Sequence, residues 1–415
     1  MTNTEIRKIP DGWMMTTLGA VADVNPSTPL KQGALAKYVA MERLDPFTRR
    51  IYSFEEKAFK GGAKFKNGDT LLARITPCLE NGKTAYVDIL DNNEIGFGST
   101  EYIVIREKKN LSNRKFLYYF AISPRFRNAA IQSMTGTSGR QRVQTELVVN
   151  KQFIIPPLPE QRAIAAVLSS FDDKIELLRE QNKTLEATAQ AIFKEWFVNF
   201  NFPDKNGKPY KDAGGRMDDS DLGEIPAGWK VGRLRDMCQI HDSKRVPLSA
   251  SERLARKGKY PYHGATQIMD YIDEYLFEGI YLLLAEDGSV MDIQGFPVLQ
   301  YVTGKFWINN HAHVLRGKDK YSTEYLYLFF KRTKVAGIVT GAVQLKINQE
   351  NLLGLETVKP KEEILDSFNF AIWPLFQKII ANNSQIQALS TLRDTILPKI
   401  MRGEVRVKGF DYAHK

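Results

Sequence analysis

The chain contains one pattern written twice. Ile9-Pro10, followed by Gly12-Trp13 and Leu18, returns as Ile225-Pro226, Gly228-Trp229 and Leu234, 216 residues later. Lys115-Phe116-Leu117-Tyr118-Tyr119-Phe120 returns as Glu324-Tyr325-Leu326-Tyr327-Leu328-Phe329 at an offset of 209, and Pro156 returns as Pro360 at 204. An offset that falls slowly along the chain means two copies of one unit, with small deletions in the second. A period this long describes domains rather than the turns of a solenoid. Two related but diverged domains, each followed by a proline-led helical pattern, suit a protein that presents two similar surfaces at a fixed separation.

The clearest local signal lies between the copies. Ile164, Leu168, Phe171, Ile175, Leu178, Asn182, Leu185, Ala189, Ile192 and Trp196 alternate in steps of four and three. That is an a/d heptad seam. Charges such as Asp172, Asp173, Lys174, Glu176, Arg179, Glu180 and Lys183 fill the other faces. At about 1.5 Å per residue the seam is on the order of 50 Å long. With one apolar face, such a helix must lie against another. Shifting each position by 204 gives Phe368, Ile372, Leu375, Ile379, Asn382, Ile386, Leu389, Arg393, Ile396 and Ile400, of which eight are apolar. The two helices are therefore expected to pack as an antiparallel coiled coil, with the globular units at opposite ends about a pseudo-twofold axis. Asn182 and Asn382 interrupt the seam, and either fix its register or are tolerated near its surface. Pro374 is expected to kink the second helix or to mark its true start.

The fold class that follows is α+β. Residues 1–157 form a first mixed α/β domain, with strands near 70–75 and 100–106, an aromatic helix from 115 ending near Pro124, and an extended exit over 154–159. Residues 158–200 form the first long helix. Residues 201–222, rich in Gly, Pro and charge, read as a surface linker. Residues 223–359 form the second domain, and residues 360–415 the second long helix with a basic tail from Lys399.

The net charge is +10, from 58 Lys and Arg against 48 Asp and Glu, so an acidic partner, above all nucleic acid, is expected. Two cysteines, Cys78 and Cys238, one per copy, build neither a disulfide framework nor a zinc cluster, and a reducing, cytoplasmic setting fits. The first ten residues lack the apolar core of a signal peptide. No apolar run reaches the length of a membrane span.

A search for catalytic chemistry returns little. Gly82-Lys83-Thr84 ends like a phosphate-binding loop, but Pro77 stands where its first glycine belongs. Gly96 and Gly98 precede a strand, not the helix a dinucleotide fingerprint needs. There is no Asn-Pro-Pro-aromatic or Asp-Pro-Pro-aromatic tetrapeptide for amino-group methylation, and no Gly-x-Ser-x-Gly elbow. His311-Ala312-His313 could aim two imidazoles from one strand face, but lacks companions for a metal. His241, His263 and His414 are isolated. No catalytic set is expected. The polar loops are more suggestive, because Arg and Lys suit guanine, Asn and Gln suit adenine, and Asp and Glu suit cytosine.

Several stretches resemble the specificity (S) subunits of Type I restriction–modification enzymes. They are Leu72-Ala73-Arg74-Ile75-Thr76-Pro77-Cys78-Leu79-Glu80-Asn81-Gly82-Lys83, residues 98–106, Pro156-Pro157-Leu158-Pro159-Glu160-Gln161-Arg162, Tyr262-His263-Gly264-Ala265-Thr266, and residues 307–315, 348–352 and 397–404. The resemblance covers nearly the whole chain and implies that each domain is a target recognition domain reading one half of a split DNA sequence. It implies that the helices act as a ruler and dock two adenine-N6 methyltransferase (M) subunits, with ATP-dependent translocating nuclease (R) subunits joining that core. S-adenosylmethionine, ATP and Mg would then belong to those partners, and this chain would hold no cofactor, no metal and no catalytic residue. Recognition domains diverge between targets, so the candidate DNA-binding residues are positional: Arg74, Thr76, Asn81, Lys83, Arg140, Gln141 and Arg142 in the first domain, and His263, Thr266, Gln267, Asn310, His311, Gln344 and Lys346 in the second. Two other classes compete: an enzyme whose motif is too degraded to read, and a protein–protein scaffold without specific DNA reading.

Overall fold

A computed structural model describes residues 9–341 and 343–407. The basic tail beyond 407, with His414, and the N-terminal residues 1–8 lie outside the described residues. The chain divides into two compact units, residues 1–177 with 385–415, and residues 178–384. Each unit takes one globular domain and half of each long helix.

In the first unit a four-stranded sheet runs in the order Ala22–Val24, Tyr102–Glu107, Thr70–Ala73, Thr84–Tyr86. Its strands alternate between two buried faces. Leu72, Ile103 and Ile105 join one core, which includes the helix Arg114–Ile122. Leu71, Ala73, Val104 and Ala85 point the other way into a second core with Val39 and Phe65 from a second four-stranded sheet. That period of two sandwiches the sheet between helix and sheet. The aromatic helix begins where Asn113 accepts from the Phe116 N–H. A second short helix starts at once, with Ser123 as its cap and Pro124 in its first turn, where a missing N–H costs nothing.

The second unit repeats the plan. A six-stranded sheet runs Cys238–Ile240, Ala312–Gly317, Phe277–Ala285, Leu299–Ile308, Lys257–His263, Ile268–Ile272. Leu282, Leu284 and Leu315 face the helix Thr323–Phe330, while Tyr281, Leu283 and Val314 face away. The repeated Pro-x-Gly-Trp is the same tight turn in both copies. The indole residue's N–H returns to the proline carbonyl at 3.0 Å (Trp13 to Pro10) and 2.9 Å (Trp229 to Pro226). Gly12 and Gly228 hold φ of 80° and 84°, a region glycine enters without steric cost.

The long helices are Leu158–Phe197 and Glu362–Met401. In the first unit Ile164 and Leu168, near the start of the first helix, share a core with Leu397 and Ile400, near the end of the second. In the second unit Ala189 and Phe193 share a core with Phe368, Ile372 and Phe376. Within each unit the helices are therefore antiparallel, as the seam requires. The Pro-Leu-Pro-Glu-Gln-Arg motif acts as a clasp. Buried Gln161 donates to the Leu111 and Pro156 carbonyls and accepts from the Asn113 N–H. Glu160 accepts from the Trp13 indole at 2.9 Å and from Arg406 at 2.7 and 2.8 Å.

Three expectations are sharpened. Pro374 does not mark the start of the second helix, which begins at Glu362 and continues past it; Ile372 and Phe376 on either side lie in the core. The first long helix starts at Leu158, its expected boundary, so the extended exit is shorter than 154–159. The stretch 201–222 lies largely at the surface, as a linker there should, but it is anchored by one buried side chain. Phe202 is buried and stacked against Tyr210 and Trp229, with ring centres 4.6 and 5.2 Å away. Met217–Asp218 pairs with Ile225–Pro226.

The polar seam positions are matched. In the second unit Asn382 donates to Asn182 at 2.9 Å, and Asn182 donates to Asn383 at 2.8 Å. In the first unit Arg393 meets Asp172 at 2.5 Å, with side chains 8% and 4% exposed. Tyr119 also donates to Asp172. Burial works against the charge of Arg393, but the adjacent carboxylate outweighs it and holds the guanidinium above its ordinary pKa. Asp394 also accepts from Arg393, at 2.9 Å, but is 60% exposed; losing the buried partner leaves the guanidinium with that one alone, so Asp172→Ala should cost at most roughly 3–5 kcal/mol. Replacing both residues with leucine should recover most of that loss. Urea denaturation of the full chain checks both; equal destabilisation by the single and the double variant would contradict the pairing.

Candidate nucleic-acid interface

The candidate residues of the first domain converge where a strand ends. The strand Thr70–Ala73 leads into Arg74, and Glu101 precedes the neighbouring Tyr102–Glu107. Antiparallel pairing of Ala73 with Tyr102 sets those two flanking residues side by side. The Arg74 N–H then donates to the Glu101 carbonyl at 3.0 Å. A third segment crosses them: Arg142 bridges to Ile75 and to Thr135, and the Val143 N–H reaches the Arg74 carbonyl at 2.9 Å. The side chains follow. Glu101 accepts from Arg142 through Nε at 3.0 and 3.1 Å and Nη2 at 2.8 Å, and from Arg74 Nε at 3.0 Å. The Arg142 hydrogen bonds, with Arg74 adding to them, hold the Glu101 carboxyl below its ordinary range although burial opposes the shift. A fork bound on one edge keeps its remaining N–H groups aimed outward, which suits bidentate recognition.

The second domain builds the same crossing from different side chains. Ala285 pairs with Ala312, and the Glu286 N–H donates to the His311 carbonyl at 2.9 Å. Lys346 bridges to Asp287 and Thr340, and the Ile347 N–H reaches the Glu286 carbonyl at 2.9 Å. The backbone thus matches Arg74 with Glu286, Glu101 with His311, and Arg142 with Lys346. The charges are permuted. Where the first domain has a carboxylate between two arginines, the second has Glu286 contacting Lys346 at 3.3 Å and Arg245 at 2.6 Å. His311 instead meets Asp287 at 2.8 Å. Gly341 makes the crossing loop possible: with φ at 87°, a Cβ there would lie 2.2 Å from the Gln344 carbonyl oxygen.

The candidates separate into two groups. Asn81, Arg140, Thr266, Gln267, Asn310, His311, Gln344 and Lys346 are exposed, and Arg74, Gln141 and Arg142 are half-buried at the crossing. Thr76, Lys83 and His263 are held by contacts within the protein. The Thr76 hydroxyl is buried, and its N–H donates to the Gln141 carbonyl, closing the crossing from below. The Lys83 ammonium donates to the Met41 carbonyl at 2.9 Å. His263 is 5% exposed, edge-on to Phe306 and bonded to Gln300. Burial pushes its pKa down, and the Gln300 contact only partly offsets this. Thr266 and Gln267 occupy the tight turn that follows it, closed by Gly264 N–H to the Gln267 carbonyl at 2.8 Å.

Glu101, Asp242 and Arg245 are the partners that composition does not announce. Their signal lay in the register of the repeat, because the residue flanking one strand end must sit beside the residue flanking its neighbour. His311-Ala312-His313 also resolves into this network. His313 is buried, with Nδ1 2.6 Å from Asp242 and Nε2 2.8 Å from the Ile347 carbonyl. Its ligand atoms gather with those of Asp242 and Glu286 within 4.8 Å. Arg245 already supplies the cation there, at 2.6 Å from Glu286 and 3.5 Å from Asp242. The cluster reads as an internal ion-pair network that braces the crossing.

The family described as Type I restriction modification DNA specificity domain matches residues 10–187 and 226–392, one match per copy. This chain belongs to that family. It is similar to the Type I restriction enzyme MjaIX specificity subunit of Methanocaldococcus jannaschii, 26% identical over 437 residues that cover 98% of this chain and 96% of that one. It is similar to the EcoAI specificity subunit of Escherichia coli, 34% identical over 191 residues, covering 45% of this chain and 32% of that one. A crystal structure of a Type I restriction–modification S subunit from M. genitalium shares the fold, with a TM-score of 0.51 at 15% identity over 96% of this chain and 97% of that one. The chain is thus a specificity subunit that recognises DNA target sequences, and not the catalytic component. No helix among the described residues of this specificity subunit is long and apolar enough to cross a membrane.

The Glu101 pairing carries a pH signature. A carboxyl whose folded value is depressed contributes stability above its unfolded value, here the ordinary 4.5, and loses it as pH falls through the lower folded value. The gap in urea midpoint between the native chain and Glu101→Gln should be constant above pH 4.5 and shrink below it. A gap independent of pH down to 3 would contradict an ionised Glu101 in this role.

Proposed function

We propose that this specificity subunit reads a bipartite DNA target, one half-site per domain. Residues 1–157 and 223–359 are the two reading domains, and the helical pair sets the gap between half-sites. The observation that carries this reading is the repeated crossing. One backbone arrangement, built twice, displays Arg74, Glu101 and Arg142 in one copy and Glu286, His311 and Lys346 in the other. A fixed frame with exchanged charges is what two related readers of different base sequences need, since base identity is read by the donor and acceptor pattern presented to the groove.

Within that reading Arg142 is the principal base-reading residue of the first domain, aligned by Glu101, with Arg140, Gln141, Arg74 and Asn81 beside it. Lys346, Gln344, His311, Asn310, Thr266 and Gln267 serve the second. The scaffold role of the complex also belongs to this proposal. The helices dock two adenine-N6 methyltransferase subunits, and ATP-dependent nuclease subunits join them. S-adenosylmethionine, ATP and Mg are held by those partners, and this chain supplies address rather than chemistry in a bacterial or archaeal cytoplasm.

Selection of bound duplexes from a random pool by the reconstituted complex tests the assignment. The native chain should yield two specified blocks around a fixed gap. Arg142→Ala should relax one or two positions in one block, by about 1–3 kcal/mol each, and leave the other block unchanged. Lys346→Ala should do the same to the opposite block. Equal weakening of both blocks by either variant would remove these residues from base reading and leave them as phosphate contacts, which act on all sequences alike.

A further inference from the structure

The two most exposed large apolar side chains among the described residues are Ile293 and Val343, 103% and 100% exposed. A single exposed aliphatic residue is ordinary on a protein surface. These two stand out because each caps a tightly bonded turn, and both turns are tied to the charged crossing of the second domain. Ile293 occupies the tip of the turn Asp292 to Gly295. The Gly295 N–H returns to the Asp292 carbonyl at 3.0 Å, and Asp292 Oδ1 accepts from the Gln294 and Phe296 N–H groups at 2.9 Å each. Val343 lies within the loop closed by two reciprocal Thr340–Lys346 backbone hydrogen bonds of 2.8 Å. That loop is fastened to the strand exit by Gly288 N–H to the Leu345 carbonyl at 3.0 Å. Among the described residues, nothing covers either apolar tip.

We propose that Val343 and Ile293 read thymine, by packing against its 5-methyl group in the half-site bound by the second domain. The inference rests on the DNA-reading function proposed above. The thymine methyl is the apolar group that a base pair presents in the major groove, where aliphatic side chains recognise it. Gln344 and Lys346, immediately beyond Val343, bring donors suited to the purine edges of the same groove. The matching loop of the first domain, between Thr135 and Arg142, carries Thr137, Ser138 and Gly139 and no aliphatic side chain. A large aliphatic contact is therefore offered by the second domain, while this loop of the first offers only the short methyls of Thr135 and Thr137.

Replacing thymine with deoxyuridine deletes the methyl group and nothing else. Duplexes carrying the split target, with each thymine replaced singly, are bound by the reconstituted complex. Burial of one methyl group predicts a loss of about fourfold at one or two positions in a single block. Val343→Ser and Ile293→Ser should each bind the thymine and deoxyuridine forms equally at one of those positions, with an unchanged melting temperature. Binding that is indifferent to deoxyuridine throughout, or a deoxyuridine penalty that persists in both variants, overturns the methyl contact while sequence preference itself stands. A persistent penalty of that kind, together with loss of affinity for every duplex in the variants, would indicate wedging between base steps. A complex with no preference among duplexes overturns the recognition reading and the methyl contact together.

Discussion

Each long helix has one apolar face, and neither globular core is complete without it. The first core counts Ile164 and Leu168 from one helix and Leu397 and Ile400 from the other among its members. The second counts Ala189 and Phe193 with Phe368, Ile372 and Phe376. The antiparallel pairing is therefore a condition for both domains rather than a connection between finished ones. It explains why the division into compact units cuts both helices, after Leu177 and Ser384, and leaves each whole domain holding half of each.

A purely apolar seam would leave the register open, since many offsets of four and three bury the same area. The polar interruptions remove that freedom. Asn182 and Asn382 pair only in one alignment. Arg393 pairs with the buried Asp172 and, on its outer side, with the exposed Asp394. Asp172 also accepts from Tyr119, which belongs to the aromatic helix of the first domain. A buried ion pair is a weak source of net stability but a strict judge of alignment, because any slip strands two charges in a dry core. The same carboxylate thus ties the helix pair to the domain it carries.

Much of this was legible in the sequence. The repeat, the seam and its partner follow from spacing, because a period of 3.5 persists over nine steps in one copy and is echoed in the other, and the antiparallel sense follows from a chain that folds back through an intervening domain. Asp172 was not legible as a core residue, because it lies off the seam and only tertiary packing buries it. Pro374 is not the start of the second helix, because neighbours such as Ile372 and Phe376 supply packing that outweighs the local cost of a missing N–H. In the Gly- and Pro-rich stretch 201–222, composition reports the surface turns but not the burial of Phe202 between Tyr210 and Trp229. At the candidate interface, residue type singled out Arg142 and Lys346, which the structure sets at equivalent positions of the two crossings. It could not tell the inward His263 and Lys83 from outward neighbours, and Glu101 emerged only from strand register.

The central claim is that one crossing, built twice with permuted charges, reads two different half-sites. Modification-sensitive long-read sequencing of DNA from cells expressing this chain with its cognate adenine methyltransferase tests it most directly. The account predicts N6-methyladenine in a single split motif, two short blocks of different sequence around a fixed unspecified gap. A continuous motif, or no modified motif from a methyltransferase shown to be expressed and bound to this chain, would contradict it.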